Sequence, residues 1–367
     1  MTEVVDPAGP AAAAELVLTE SEIIRTAESI ARAQLRSGQI PAVVGGVADP
    51  WNHVEAAMAL DVAGRPAQAR AAYEWLRRSQ NPDGSWYRGY RGDEVADAAC
   101  ESNFSAYLAV GLWHHHHSTG DEEFLDRMWP TLTRALGFVL TLQSPGGQIW
   151  WARDAQGRPA TEALLTGCAS IYHSLRCALA IAELRQAPQP DWELAAVTLG
   201  HLVARHPDRF ATRDRYSMDW YYPILGGAMR GSAARRRLAE GWDRFVVPGL
   251  GVRCVSDHPW VTGAESAELV LALAALGDID RGAKLLGDIA HLRCPDGSYW
   301  TGYVYPDDAM WPEERTTWTA GAVLLADAML AGEPATRAVF GGAGLPADPA
   351  ALLPVCDDAA CGADQDS

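Results

Sequence analysis

The sequence is poor in positive charge: 30 Lys and Arg residues stand against 47 Asp and Glu, so the net charge at pH 7 is −17. Proteins that bind nucleic acid neutralise its phosphates with Lys and Arg, so this deficit excludes nucleic acid as a partner. The sequence also has no apolar run long enough to cross a bilayer, and its charge is repelled by an acidic membrane surface. We therefore expect no stable membrane insertion.

The sequence also lacks a Cys-x-x-Cys pair and an N-terminal hydrophobic segment of the secretory type. The number of cysteines is odd, and they lie at positions 100, 168, 177, 254, 294, 356 and 361. This pattern predicts reduced thiols and a cytoplasmic protein. In the run His114–His117, only the first and last residues could share one face of a helix, which argues against a metal site. We expect neither a metal nor a cofactor.

Phenylalanine is scarce, whereas tryptophan is abundant: the sequence has 6 Phe, 11 Tyr and 14 Trp. An indole ring combines a large apolar surface with one N–H donor, which suits the edge of a core or the wall of a pocket. Hydrophobic residues make up 48% of the chain, enough for a large core. The composition therefore predicts a globular domain with an aromatic-lined site.

Helical periodicity recurs from Thr19, which forms a predicted capping box with Glu22, to about residue 331. Six predicted helices are amphipathic and therefore cover a core, at roughly 20–37, 66–80, 121–143, 191–206, 232–247 and 278–293. Six others are rich in Ala, Leu and Gly and therefore buried, at roughly 51–63, 101–117, 162–185, 218–230, 262–276 and 315–331. The buried helices begin roughly every 53 residues, a period typical of repeat architectures. We predict an all-α fold, an (α/α)6 toroid of six helical hairpins.

The predicted toroid occupies residues 19–331, between a flexible segment 1–18 and an irregular acidic tail 332–367. A long linker follows each outer helix, at 38–50, 81–100, 144–161, 207–217, 248–261 and 294–314. Because the hairpins alternate in direction, these linkers emerge on one face, beside the first turns of the inner helices. Function concentrates in long loops on a rigid scaffold, so we place the site there.

The spacing Gln80-x3-Gly84-x-Trp86 resembles the Gln–Trp motif of the squalene cyclase and protein prenyltransferase superfamily. The segment from Phe124 to Ala135, continued by Trp151-Ala-Arg-Asp154, resembles a hairpin of the glucoamylase-type six-hairpin glycosidases. Both resemblances imply an α/α toroid. The sequence departs from each family in its catalytic motifs: it has no Asp-x-Asp-Asp, no Asp-x-Cys zinc motif with a distant His, and no recognisable glucoamylase motif.

Carboxylates and aromatic residues open the predicted inner helices. The candidate catalytic residues are Asp49, Glu101, Asp219, Asp257 and Glu265. The candidate substrate-binding residues are Trp51, His53, Asn103, Trp220, Tyr221, Tyr222, His258, Trp260 and Trp318. Helix capping explains any single acid in a first turn, but capping does not explain why Trp recurs beside the acids.

Three interpretations follow. The first is a prenyltransferase or cyclase-like enzyme, a transferase-type protein that acts on an isoprenoid in a cavity lined by Trp and carboxylates, with Asp219 as its acid. The second is a six-hairpin glycoside hydrolase, in which two carboxylates flank the scissile bond and Trp rings stack on sugars. The third is a non-catalytic toroid that binds a small molecule. The Gln–Trp motif makes the isoprenoid enzyme our leading prediction.

Overall fold

The computed structural model describes residues 17–346, and helices dominate this part of the chain. Their bounds are α1 Glu20–Ala33, α2 Pro50–Val62, α3 Pro66–Ser79, α4 Ser102–Ala106, α5 Leu108–Thr119, α6 Glu122–Thr141, α7 Leu165–Leu184, α8 Pro190–Arg205, α9 Ser217–Leu225, α10 Gly231–Phe245, α11 Gly263–Ala275, α12 Ile279–Asp288, α13 Thr317–Leu330 and α14 Pro334–Phe340. The predicted capping box of Thr19 and Glu22 opens α1.

The helices form the predicted (α/α)6 toroid. Its inner ring consists of α2, α5, α7, α9, α11 and α13; each packs against the next, and α13 closes the ring against α2. The outer helices α3, α6, α8, α10 and α12 each pack on the inner helix that precedes them, and α1 packs on α13. The inner helices α7 and α11 are buried over almost their whole length, whereas α1 and α10 bury only one stripe. The alternation of apolar and amphipathic segments in the sequence therefore corresponds to two concentric rings.

The Gln80–Trp86 motif ties one outer helix to the next. The Gln80 side-chain amide donates to the carbonyls of Gly84 at 3.0 Å and of Thr131, in α6, at 2.8 Å. Trp86 is 1% exposed, and its Nε1 donates to the Leu76 carbonyl in α3. Gly84 has φ +93°, and a Cβ there would lie 2.0 Å from the Arg134 carbonyl oxygen. The motif is thus a structural device that closes α3 and seats it on α6.

The long linkers contain short strands, which the all-α prediction missed. These are β1 Gly89–Arg91, β2 Glu94–Asp97, β3 Cys100–Glu101, β4 Ala152–Arg153, β5 Val246–Val247, β6 Gly251–Arg253, β7 Trp260–Thr262, β8 Gly302–Val304 and β9 Ala309–Met310. Strands β1 and β2 pair, as do β3 and β4, and β5 to β9 form an antiparallel sheet in sequence order. None of these strands exceeds four residues, too short for their alternation to stand out in the sequence.

Backbone pairing joins the six linkers into a continuous rim on one face, as predicted. The contacts run in order around the ring: Ala48 with Tyr90, Cys100 with Arg153, Ala163 with Ala211, Tyr216 with Val255, Val261 with Tyr303, and Thr317 back to Ala42. This rim surrounds the first turns of the inner helices.

The opposite face is covered by α14, in a region that we predicted to be irregular. This helix packs on α5, α11 and α13. Phe340 is 2% exposed, and the carbonyl of Val339 lies 3.1 Å from Nε2 of His173 in α7. Glu333 caps α14 by accepting from the backbone N–H groups of Ala335 and Thr336. Residues 1–16 of the predicted flexible segment 1–18, and residues 347–367 of the predicted tail 332–367, with Cys356 and Cys361, lie outside the described part of the chain.

Candidate active site

Five carboxylates come together where the inner helices open onto the rim. Asp49 caps α2, and Glu55 lies six residues further along the same helix. Glu101 ends β3 and immediately precedes α4, the short helix that leads into α5, and Glu265 and Glu268 are one turn apart at the start of α11. These first turns converge because the inner helices are parallel members of a closed ring. We refer to these five residues as the acidic cluster.

Asp49 is held in place by its own helix. Its two carboxylate oxygens accept hydrogen bonds from the Asn52 backbone N–H at 2.9 Å and from the Asn52 side-chain amide at 2.7 Å. These bonds favour the ionised form, but burial outweighs them and raises the pKa of Asp49 to about 6. A carboxyl group with this pKa can hold a proton close to neutral pH.

Glu55 and Glu268 form the deepest part of the acidic cluster, with 4% and 6% of their surface exposed. Tyr221 and Tyr222 both donate their hydroxyl hydrogens to the Glu268 carboxylate, Tyr222 at 3.2 Å. Burial raises the pKa of Glu268 to about 8, despite these two donors. Burial also raises the pKa of Glu55, and the negative charges of Glu268, Asp49 and Glu265 add to the effect. Burial and mutual repulsion therefore favour a protonated carboxyl group in this deep pair.

Glu265 and Glu101 lie at the two ends of the acidic cluster. Glu265 is 8% exposed, and its Oε2 is buried without a hydrogen-bond partner within the protein. That oxygen has lone pairs for a hydroxyl group or a water molecule. Glu101 lies 3.9 Å from the Arg88 guanidinium. Burial raises the pKa of Glu101 to about 7, Arg88 opposes the increase, and Asp49 adds to it.

Aromatic rings form one side of the acidic cluster. The Trp51 ring lies 5.9 Å from Phe104, 5.6 Å from Tyr107 and 5.7 Å from Tyr222, centroid to centroid. Tyr107 is buried, and the charges of Glu55 and Glu268 help to raise the pKa of its hydroxyl. The site therefore combines titratable acids with a rigid apolar surface, as carbohydrate-binding and carbocation-forming sites both require.

Several residues predicted from the sequence lie in or beside this site. Asp49, Glu101, Glu265, Trp51, Tyr221 and Tyr222 belong to it by the contacts above. Asn103 is buried in the first turn of α4, and Trp318 is half-buried in the first turn of α13. The sequence interpretation missed Glu55, Glu268 and Tyr107. A carboxylate inside an otherwise apolar helix is the signal that could have identified the first two, because burial of an acid is costly unless it has a partner or a function.

Asp219 does not contact the acidic cluster. Its carboxylate accepts from the backbone N–H of Thr166 at 3.2 Å and from the Thr166 hydroxyl. It lines a separate cavity of about 310 Å³ beside α10, together with Trp220 and Arg237. Trp220 stacks on Phe245 of α10 at 5.3 Å and donates its Nε1 hydrogen to the Arg237 carbonyl. The expectation that Asp219 and Trp220 face a common central cavity is therefore corrected.

Four other predicted residues also lie apart from the acidic cluster. His53 accepts from the Ile40 N–H at 3.0 Å through Nδ1, and its Nε2 lies 3.0 Å from the Ala72 carbonyl oxygen. Burial lowers the pKa of His53 to about 4, so the ring is neutral and structural. Asp257 and His258 lie on the surface, where Asp257 pairs with His258 and with Arg215, both at 2.9 Å. Trp260 lies on β7, at the rim rather than in the cluster.

The histidine run is part of the packing on the opposite face. His115 Nδ1 lies 2.9 Å from a carboxylate oxygen of Asp61, and His114 Nε2 lies 3.3 Å from the Thr336 hydroxyl. Among residues 17–346, no group of three or more His, Cys, Asp or Glu side chains is arranged to hold a metal ion. No helix in this same range has the length and hydropathy needed to cross a membrane. The cytoplasmic location stays a prediction.

Comparison with known proteins identifies relatives in carbohydrate chemistry. No protein-family model matches the sequence. The chain is 55% identical over 330 residues to the MMP endo-(1,4)-3-O-methyl-alpha-D-mannosidase of Mycolicibacterium hassiacum, which covers 90% of this chain and 92% of that enzyme. It is also 24% identical over 163 residues to an uncharacterized glycosyl hydrolase of Methanocaldococcus jannaschii, which covers 43% of this chain and 25% of that protein.

Solved structures confirm the fold. A glycosidase variant in complex with glucose superposes with a TM-score of 0.67 at 18% identity, over 86% of this chain and 99% of that one. A D-mannose isomerase superposes with a TM-score of 0.67 at 11% identity, over 88% of this chain and 99% of that one. At such identities the likeness shows the architecture alone.

These findings overturn the leading prediction. The prenyltransferase, squalene cyclase and transferase interpretation is wrong, because the 55% identical relative is an endo-mannosidase. The toroid and the six hairpins stand, and the Gln–Trp motif that suggested isoprenoid chemistry serves only to close helices. This identity supports our second interpretation: the chain belongs to the glycoside hydrolase family that contains the M. hassiacum MMP endo-(1,4)-3-O-methyl-alpha-D-mannosidase.

Proposed function

We propose that this protein is an endo-acting glycoside hydrolase that cleaves α-1,4 bonds within chains of 3-O-methylmannose. The observation that carries the proposal is the 55% identity with an enzyme of that description over nine tenths of the chain. The acidic cluster provides the chemistry, and it lies at the rim of the toroid, where a polymer can approach from solvent.

The hydrolysis needs one carboxylic acid to protonate the leaving oxygen and one carboxylate to activate water or attack the sugar. We assign the acid to Asp49, since burial raises its pKa to about 6 while its bonds to Asn52 fix its position. Glu101, whose pKa burial raises to about 7, is the second candidate for the acid. We rank it below Asp49 because its carboxylate faces the Arg88 guanidinium at 3.9 Å and lacks the two hydrogen bonds by which Asn52 fixes Asp49.

We assign the carboxylate to Glu265, whose buried Oε2 has no partner within the protein. Asp49 belongs to α2 and Glu265 to α11, two inner helices separated in the ring by α13. A sugar bound over the intervening helix would contact both carboxyl groups. Glu55 and Glu268, deeper and held by Tyr221 and Tyr222, would form the floor of this site and are positioning residues.

The surface of the site also suits a methylated, uncharged sugar. A methyl ether removes a hydrogen-bond donor and adds apolar surface, which favours contact with aromatic rings over polar groups. The half-buried rings of Trp51 and Phe104 offer such a surface beside Asp49, and the buried ring of Tyr107 supports Trp51 from behind. A neutral substrate also explains how an enzyme with a net charge of −17 can bind it without a basic cluster.

The test is hydrolysis of purified 3-O-methylmannose oligosaccharides, followed by mass spectrometry of the products. Internal cleavage is expected from the wild type, and Asp49→Asn and Glu265→Gln should each reduce kcat by roughly 10²–10⁴-fold with an unchanged melting temperature. Asp257→Asn is the matched control, because Asp257 lies on the surface and should leave kcat unchanged. A fully active Asp49→Asn or Glu265→Gln enzyme would remove that residue from the mechanism.

A further inference from the structure

One aromatic pair on the rim lies in water rather than in the core. Of the 14 Trp residues, all of which lie within residues 17–346, only Trp311 has an exposed side chain, at 54%. Trp260 packs edge-on against it, with ring centroids 4.8 Å apart and an interplanar angle of 80°. The two rings form an open corner, which we refer to as the Trp260–Trp311 corner.

The Trp260–Trp311 corner is held rigidly by the five-stranded sheet. The indole N–H of Trp260 donates to the Trp311 carbonyl at 2.8 Å, and the Trp311 N–H donates to the Gly302 carbonyl at 2.9 Å. Gly302 leaves room for the Trp260 ring, since a Cβ there would lie 2.4 Å from Trp260 Nε1. Fixed rings of this kind lose little conformational entropy when a ligand binds.

The Trp260–Trp311 corner is connected to the acidic cluster through a short stretch of chain. Strand β7 ends at Thr262, and α11 begins at Gly263 and carries Glu265 in its first turn. Trp260 precedes Glu265 by five residues, so their Cα atoms are at most roughly 17 Å apart. A polysaccharide bound across Glu265 would extend a few sugar units before it reached the corner.

We propose that the Trp260–Trp311 corner is a binding subsite for the 3-O-methylmannose chain on one side of the cleaved bond. The inference rests on the proposed function, because an endo-acting enzyme must bind sugar units beyond the two that it separates. The methylated faces of those units stack on the exposed Trp311 ring, while the Trp260 ring supports their edge. The subsite accordingly contributes affinity for long chains and none for short ones.

The experiment measures binding and hydrolysis separately. Binding of a long and of a short 3-O-methylmannose oligosaccharide is measured by calorimetry in the Glu265→Gln protein, with and without Trp311→Ala. We expect Trp311→Ala to raise the Kd for the long chain roughly tenfold and to leave the Kd for the short chain unchanged. Trp311→Tyr should recover most of the affinity. Leu194→Ala, which removes a side chain that is 68% exposed on the outer helix α8, should change neither value.

The outcomes distinguish this inference from the proposed function. The subsite is overturned if Trp311→Ala leaves the Kd for the long chain unchanged. It is also overturned if Trp311→Ala raises the Kd for the long and the short chain by the same factor. The subsite is likewise overturned if Trp311→Ala weakens the binding of another protein and leaves the binding of the oligosaccharides unchanged. Hydrolysis by the wild type tests the proposed function: an enzyme that cleaves the oligosaccharides but is indifferent to Trp311 refutes only the subsite.

Discussion

Trp86 and Trp311 offer a direct test of how this fold uses tryptophan. Trp86 is 1% exposed, and its Nε1 donates to the Leu76 carbonyl at 2.9 Å. Truncation of a buried Trp to Ala costs about 3–5 kcal/mol through lost burial and the cavity that remains. The lost hydrogen bond adds about 1 kcal/mol. Trp86→Ala should therefore reduce the free energy of unfolding by about 4–6 kcal/mol.

The assay is thermal unfolding followed by circular dichroism. At about 2.1 cal/mol/K per residue, the entropy of unfolding of a domain of this size is about 0.7 kcal/mol/K, so the loss lowers the Tm by roughly 6–9 °C. Trp311→Ala is the control: its side chain is 54% exposed, and removal should change stability by less than about 0.5 kcal/mol. An unchanged Tm for Trp86→Ala, combined with weaker sugar binding, would refute the reasoning and place Trp86 in the substrate site.

Three further predictions concern the backbone and the acidic cluster. Gly84→Ala should reduce the free energy of unfolding, measured with urea, by about 2–4 kcal/mol, because φ is +93° and the added Cβ would lie 2.0 Å from the Arg134 carbonyl oxygen. The control Gly92→Ala, where φ is +58° and the added Cβ would have no atom within 4 Å, should reduce it by only about 1 kcal/mol. Glu268→Gln should raise the Tm relative to wild type at pH 8 but not at pH 4. The reason is that the pKa of Glu268 rises from 4.5 in the unfolded chain to about 8 in the fold, so the protonated carboxyl group stabilises the fold and this contribution is lost as the pH rises through that range. The rate of hydrolysis should fall as pH rises through about 6, where Asp49 loses its proton, and a pH–rate profile without that decline would exclude Asp49 as the general acid.

The sequence was sufficient for the fold because each inner helix is apolar nearly all round and each outer helix is amphipathic. It predicted part of the candidate site for a topological reason. Asp49 and Glu265 lie at the starts of inner helices, Glu101 precedes the short helix α4 that leads into the inner helix α5, and a closed ring brings these positions together. An acidic residue at such a position is therefore a reasonable candidate for the active site, whichever reaction the protein catalyses.

The rest depended on tertiary packing. The rotation of α9 about its axis is fixed by Trp220, whose ring fills the space beside Gly241, where a Cβ would lie 2.3 Å from Nε1. Asp219, which immediately precedes Trp220, is therefore directed toward Thr166 instead of the acidic cluster. No periodicity in a nine-residue helix reveals that rotation.

The functional error had a different cause. Gln80, Gly84 and Trp86 are a helix-closing device, and such a device accompanies any chemistry that the same scaffold supports. The motif therefore carried information on architecture, which was correct, and none on the substrate.

The position of α14, on the face opposite the rim, determines from which side a substrate can reach and leave the candidate site. This helix packs on the inner helices α5, α11 and α13, and its Phe340 ring lies 5.5 Å from the His173 ring of α7, so α14 covers that end of the ring. Under the proposed function, a sugar polymer therefore does not thread through the ring. The polymer lies across the open rim with both ends in solvent, and both fragments leave by the side from which the substrate arrived. Release can then proceed from either fragment first, and a long chain can be cut again at another point without passing an end through the protein.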